Sequence, residues 1–150
     1  MLSDNRAENS EDFNLNRFVT AQEKLYATVI AELKNGNKQT HWMWFIFPQI
    51  DGLGTSTYAK LYAIKSIDEA KAYFNHPLLG ARLLECSKIL LTIKNKSAND
   101  ILGFPDYVKL QSCITLFSLV FPLEKTFTEV LAKYYQNEKD IRTVEILGLK

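Results

Sequence analysis

Cysteine, histidine and proline are scarce in this chain, and neither sign of charge is in excess. Two cysteines among 150 residues are too few for a disulfide scaffold and cannot hold a structural metal by themselves. Cys86 and Cys113 each fall within an apolar helical pattern, where a free cysteine acts as a small hydrophobe. The two histidines, His41 and His76, stand outside any HExxH motif, and no cysteine pair has ligand spacing. Zinc catalysis is therefore not expected. A GxSxG elbow is also absent, which removes the local signature of a serine hydrolase. The 18 basic residues are balanced by 17 acidic ones. Lys60, Lys65, Lys71, Lys88, Lys94 and Lys96 are interspersed with acids, so no basic stripe forms and nucleic acid is not expected as a partner. No apolar run approaches the roughly 20 residues that cross a bilayer. The opening MLSDNRAENSEDFN lacks the apolar segment of a secretory signal. These absences predict a soluble cytoplasmic protein with no membrane partner, no cofactor and no metal.

What is present is an ordinary globular composition, 47% hydrophobic and 23% charged, and a succession of helix signals. Residues 1–12 are polar and aperiodic, which predicts a flexible arm ahead of one helical domain over 13–150. Leu15, Phe18, Ala21, Leu25, Val29 and Leu33 recur at three- and four-residue spacing and predict a long helix from Leu15 to Asn35. Asn14 is its expected N-cap and Gly36 its stop. Thr40 is expected to cap a short helix in the apolar block His41 to Gln49, with Pro48 ending it by Phe47. Ser56 or Thr55 suits the cap of a short helix reaching about Ala63. Ser66-Ile67-Asp68-Glu69 and Ser97-Ala98-Asn99-Asp100 both read as capping boxes. Pro77 opens a helix carrying Leu79, Leu83, Cys86, Leu90 and Ile93, and Gly80 within it hints at close packing. Further helices are expected from Pro105-Asp106 to Val120, from Glu124 to Tyr135 and from Asp140 to Leu147. Seven or eight short to medium helices joined by short turns make a single compact all-α domain.

At HWMWFIFPQIDGLGTS the chain resembles a bacterial family known only as domain of unknown function 1810. The likeness begins at Phe18 and Gln22 and runs through His41 to Gly54 and Ser56. It continues through Tyr62-Ala63-Ile64, Glu69-Ala70, Tyr73, His76-Pro77, Leu79-Gly80 and Arg82-Leu83. Gly103, Asp106, Lys109-Leu110 and Thr115-Leu116-Phe117 close it. The chain departs from the family pattern at Cys113 and Ile114, where a small polar residue and a methionine stand. The resemblance implies an all-helical fold and no particular reaction.

The residues themselves nominate a site. His41, at the edge of the aromatic block, is the candidate acid–base or hydrogen-bonding group. Its alternative role is to donate to a nearby carbonyl and shield the core. Trp42 and Trp44 either wall a pocket or fill the core, and their indole N–H groups, when buried, need partners. Gln49 and Asp51 are the expected ones. Gly52-Leu53-Gly54-Thr55-Ser56 is either an ordinary tight turn or a backbone cradle for an anion. It has neither the ending of a P-loop nor a preceding strand. Arg82 and Lys109 lie among apolar neighbours, where a guanidinium suits a planar anion. The alternative for Arg82 is an internal ion pair with Glu69, Glu85 or Asp106, and for Asp106 itself an N-cap. His76 reads as a helix-entry residue. Together these residues predict a pocket for a small anionic, nucleotide-like or phosphorylated metabolite. In it His41 would do any catalysis, and Trp42, Trp44, Gln49, Gly52, Gly54, Ser56, Arg82 and Lys109 would bind. The competing expectation is a protein-interaction module without catalytic activity, its partner unidentified.

Overall fold

The apolar spacing between Leu15 and Leu33 produces two helices, not one. In the computed structural model, which describes residues 13–149, helix α1 spans Asn16–Glu23 and α2 spans Tyr26–Lys34. The expected N-terminal arm lies outside the described residues. The break falls where the Leu25 amide turns back to the Gln22 carbonyl at 3.1 Å, a tightened turn that the continuous apolar period does not reveal. The buried face is the expected one, with Leu15, Phe18, Val29 and Leu33 all inside. Asn14 is not the N-cap. It has a positive φ of 52°, and its carbonyl, like that of Phe13, accepts from the Arg17 guanidinium.

Eight more helices follow: α3 Met43–Ile46, α4 Thr57–Leu61, α5 Ile67–Asn75, α6 Leu79–Thr92, α7 Ala98–Leu102, α8 Asp106–Val120, α9 Lys125–Tyr135 and α10 Ile141–Leu147. The described residues thus form ten helices, seven of them with seven or more residues, and no strand. A lone parallel bridge joins Ile50 to Ile64. None of the helices is long and apolar enough to cross a membrane.

The serine caps fall where the sequence puts them, whereas Asn14, Thr40 and Asp106 do not cap their helices. Ser56 accepts from the Ala59 amide, Ser97 and Asp100 form a full capping box, and Asp140 caps α10 before Gly148 ends it. Ser66 completes only half of its box. It accepts from Glu69, but the Glu69 carboxylate turns to the Lys65 amide and to Arg17. Asp106 makes no cap hydrogen bond and pairs with lysines instead.

Helix α8 passes through the middle of the molecule, packed against α3, α5, α7, α9 and α10. Residues Ser112 to Ser118 are buried on every side, as expected of a helix with little apolar asymmetry. Its polar side chains are satisfied locally. Ser118 donates to the Thr115 carbonyl at 2.9 Å, and the Thr115 hydroxyl accepts from the Asp140 amide at 2.9 Å. Helices α5 and α6 meet at Gly80, where an added Cβ would stand 1.9 Å from the Phe74 carbonyl oxygen.

Two devices fix the connection that matters for the site. The Asp51 amide donates to the Ile64 carbonyl and the Ile64 amide to the Gln49 carbonyl, each at 2.8 Å, which clasps the ends of residues 51–63. Arg17 then donates to the carbonyls of Leu61 (2.8 Å) and Ala63 (2.9 Å) and to the buried Glu69 carboxylate at 2.7 Å.

Candidate functional site

The aromatic block splits by direction. Trp42 is the N-cap of α3, without a side-chain cap, and its indole is completely buried. The indole N–H donates to Glu32 at 2.8 Å. Lys38 lies over the ring at 5.0 Å from its centroid. Thr40, expected as the cap of α3, instead donates its hydroxyl to Glu32 at 2.8 Å. Burial alone would raise the Glu32 pKa. Donors from Gln39, Trp42 and Thr40 outweigh burial and hold it below the ordinary 4.5. Trp42 is therefore core, one of its two expected roles, and does not take the place in a binding wall that the other role gave it.

Trp44 is only half-buried and faces a hollow of about 620 Å³, lined also by Ala21, Leu25, His41, Phe45, Tyr58 and Tyr62. The Tyr58 ring stands 5.1 Å from Trp44 between centroids, and Tyr62 meets Phe45 edge-on at 5.4 Å. Tyr58 and Tyr62 are themselves stacked at 6.4 Å, their planes 23° apart. His41 is exposed where it borders this hollow. The buried indole N–H of Trp44 has no hydrogen-bond partner among the described residues. Neither Gln49 nor Asp51 bonds an indole.

Residue-level reading missed both tyrosines. Their signal was the i, i+4 spacing behind the Ser56 cap, which sets two side chains on one helical face. Helix α4 turns that face toward the block.

The other nominated residues lie elsewhere. Gln49, Gly54 and Lys109 line a second hollow of about 260 Å³, with Phe104, Ser112 and Arg142. Arg82 lines a third, about 720 Å³, beside Tyr26 and Leu78. There its guanidinium lies over the Tyr26 ring at 4.4 Å and donates to the Gln22 side-chain oxygen at 3.3 Å. The expected ion pair does not form, because each acid is engaged elsewhere. Glu69 is held by Arg17, Glu85 accepts from the Tyr26 hydroxyl, and Asp106 pairs with Lys38 at 2.8 Å and Lys109 at 3.8 Å. His41, Arg82 and Lys109 thus do not share one cavity.

The glycine turn is structural in its geometry. Gly52 holds a φ of +105°, and a Cβ at Gly54 would come within 2.5 Å of the Ala59 Cβ. The Ser56 hydroxyl is occupied as the cap. Burial pushes the Cys86 thiol up to about 12 and Cys113 well above its ordinary value, so neither is poised as a nucleophile.

With the site laid out, comparison places the chain. A family model described as "Protein of unknown function (DUF1810)" matches residues 12–147. The crystal structure of the conserved hypothetical protein Rv1873 from Mycobacterium tuberculosis is similar, with 45% identity and a TM-score of 0.90, over 93% of this chain and 99% of that one. No curated protein matches. The chain belongs to the DUF1810 family.

Proposed function

We propose that this DUF1810 protein binds a small molecule carrying a planar ring, held in the hollow between Trp44, Phe45, Tyr58 and Tyr62. The observation that carries this reading is the convergence of four aromatic side chains from two separate segments on one open space of about 620 Å³. That volume lies within the range of ordinary small-molecule sites, roughly 300–1,000 Å³. Aromatic faces attract a flat π-system by offset stacking and apolar burial. Tyr58, 56% exposed, offers a face that a ligand would cover. His41 adds a hydrogen-bonding group at the border and is the residue available for acid–base chemistry on a bound ring.

The test is a titration of intrinsic tryptophan fluorescence with the four common ribonucleosides as ring probes. Quenching by at least one nucleoside, lost in Trp44→Phe, is the expected result. Tyr58→Ala should weaken that binding by about tenfold, since stacking on an aromatic side chain contributes roughly 1–3 kcal/mol per base. Absence of quenching by all four, or quenching unaffected by both substitutions, would overturn the reading. A second reading, a groove for a partner protein, draws on the exposure of Leu61 (46%) beside Tyr58. Under it, nucleosides would leave the fluorescence unchanged.

A further inference from the structure

The hollow that holds Lys109 was not needed for ring binding, yet it adjoins the ring site through a single contact. Trp44 borders the aromatic hollow, and the Lys109 ammonium lies over the same indole at 5.1 Å from its centroid. Lys109 also borders the second hollow, where Arg142 is the other cation. The Trp44–Lys109 contact therefore links the wall of one space to the wall of the other.

The charge in the second hollow is under-compensated. Asp106 serves two lysines, but its short contact, 2.8 Å, goes to Lys38, and Lys109 receives the long one, 3.8 Å. Arg142 donates to the neutral Gly52 carbonyl at 3.3 Å and forms no ion pair among the described residues. Asp140 also borders this space, but its carboxylate is turned to Thr143, accepting from that residue's amide at 3.0 Å and from its hydroxyl. Two cationic side chains, Lys109 and Arg142, thus line about 260 Å³ together with a single carboxylate, that of Asp140, which leaves one positive charge in excess along this wall. Such a pair suits an anion with several acceptor oxygens, through charge-assisted hydrogen bonds.

We infer that the ligand of the aromatic hollow bears a phosphate group, seated between Lys109 and Arg142 in the second hollow. The inference rests on the ring site proposed above and narrows its ligand to the nucleotide class. The ring lies against Trp44 and Tyr58. The phosphate passes the indole to reach the two cations, and Gln49 and Ser112 add polar groups to the same wall.

The experiment compares adenosine with adenosine 5′-monophosphate, in the intact protein and in Lys109→Met and Arg142→Met, by the same tryptophan titration. The intact protein should bind the monophosphate about tenfold more tightly than the nucleoside, the gain typical of one added hydrogen bond to a charged group. Arg142→Met, which touches no wall of the ring hollow, should remove most of that gap and leave adenosine binding within about twofold; Lys109→Met should also close the gap, while Lys109→Arg should restore it. Inorganic phosphate should compete with the monophosphate but not with adenosine. Raising salt should weaken only the phosphorylated ligand. Adenosine and its monophosphate binding equally well to the intact protein would overturn the inference and leave the ring site standing. Failure of both to bind would overturn the ring site and the inference with it. Circular dichroism of each variant confirms folding. Should one variant not fold, the phosphate competition in the intact protein still decides.

Discussion

Two histidines separated by 35 positions hold opposite places in this protein. His41 is exposed beside a hollow, whereas His76 is tied into the backbone. Its Nδ1 accepts from the amides of Leu78 (3.1 Å) and Leu79 (3.3 Å), so the neutral imidazole satisfies donors at the entry to α6, the role of an N-cap. Protonation would remove that acceptor. Burial lowers the folded-state pKa of His76 below the ordinary 6.5. Between those two values the unfolded chain binds more protons than the folded one, so stability falls as pH drops from 6.5 through the lower folded value. His76→Asn, which keeps an acceptor but does not titrate, should flatten this part of the profile. Thermal unfolding of both proteins at pH 7 and pH 5 would show the smaller difference in the variant; an equal difference would refute the assignment. His76→Ala should cost about 1 kcal/mol at neutral pH, as loss of a cap does. The helix-entry role of His76 was legible in the sequence from its place before Pro77. The contrast between Trp42 and Trp44 was not. Two identical residues in an unbroken apolar block carry no pattern that says which one meets Glu32 in the interior and which one borders open space.

Among the elements, the α5–α6 junction is the most constrained by a single residue. Alanine ordinarily favours a helix over glycine by about 1 kcal/mol. At position 80 that preference meets backbone, since the new Cβ would lie 1.9 Å from the Phe74 carbonyl oxygen and the two helices must move apart. Gly80→Ala should therefore destabilise by about 3 kcal/mol, at the upper end of overpacking costs, measured as a lower urea midpoint. An unchanged or higher midpoint would show that the helices separate freely. Capping residues made most element boundaries readable, because a hydroxyl or carboxylate three residues before its backbone donor is a local arrangement. The division between α1 and α2 is tertiary. Gln22 sits at the turn fully buried, donating to the Phe45 carbonyl at 2.7 Å and the Tyr73 hydroxyl at 3.2 Å. Those partners are 23 and 51 positions away in the chain, out of reach of any periodicity.

Across the whole molecule, the expected site residues proved to be distributed over three hollows, the core and, for Gly52 and Ser56, an exposed turn, because the candidates were grouped by chemical type while the fold grouped them by distance. The aromatic block does border the first hollow, but the glycine turn expected beside it does not: the opposite walls come from Ala21, Leu25, Tyr58 and Tyr62. Its two tyrosine walls and the separation of Arg82 required the structure. One carboxylate joins the regions. Asp106 pairs with Lys38 over Trp42 and with Lys109 over Trp44. Asp106→Asn should leave the well-buried Lys38 ammonium without its counter-charge and cost about 3 kcal/mol. It should also shift tryptophan emission in the native state, as both cations move relative to their rings. A native spectrum identical to that of the parent protein would contradict this linkage.

The clasp of Gln49 and Asp51 on Ile64 has a bearing on recognition as well as on shape. It shuts the loop bearing Tyr58 and Tyr62 into a small ring of chain, and Arg17 ties that ring to α1 beside the clasp, at Leu61 and Ala63. The rings therefore take up their stations when the protein folds, before any guest arrives. A molecule entering between them has little backbone left to freeze, and the affinity lost to ordering a slack receptor is largely avoided.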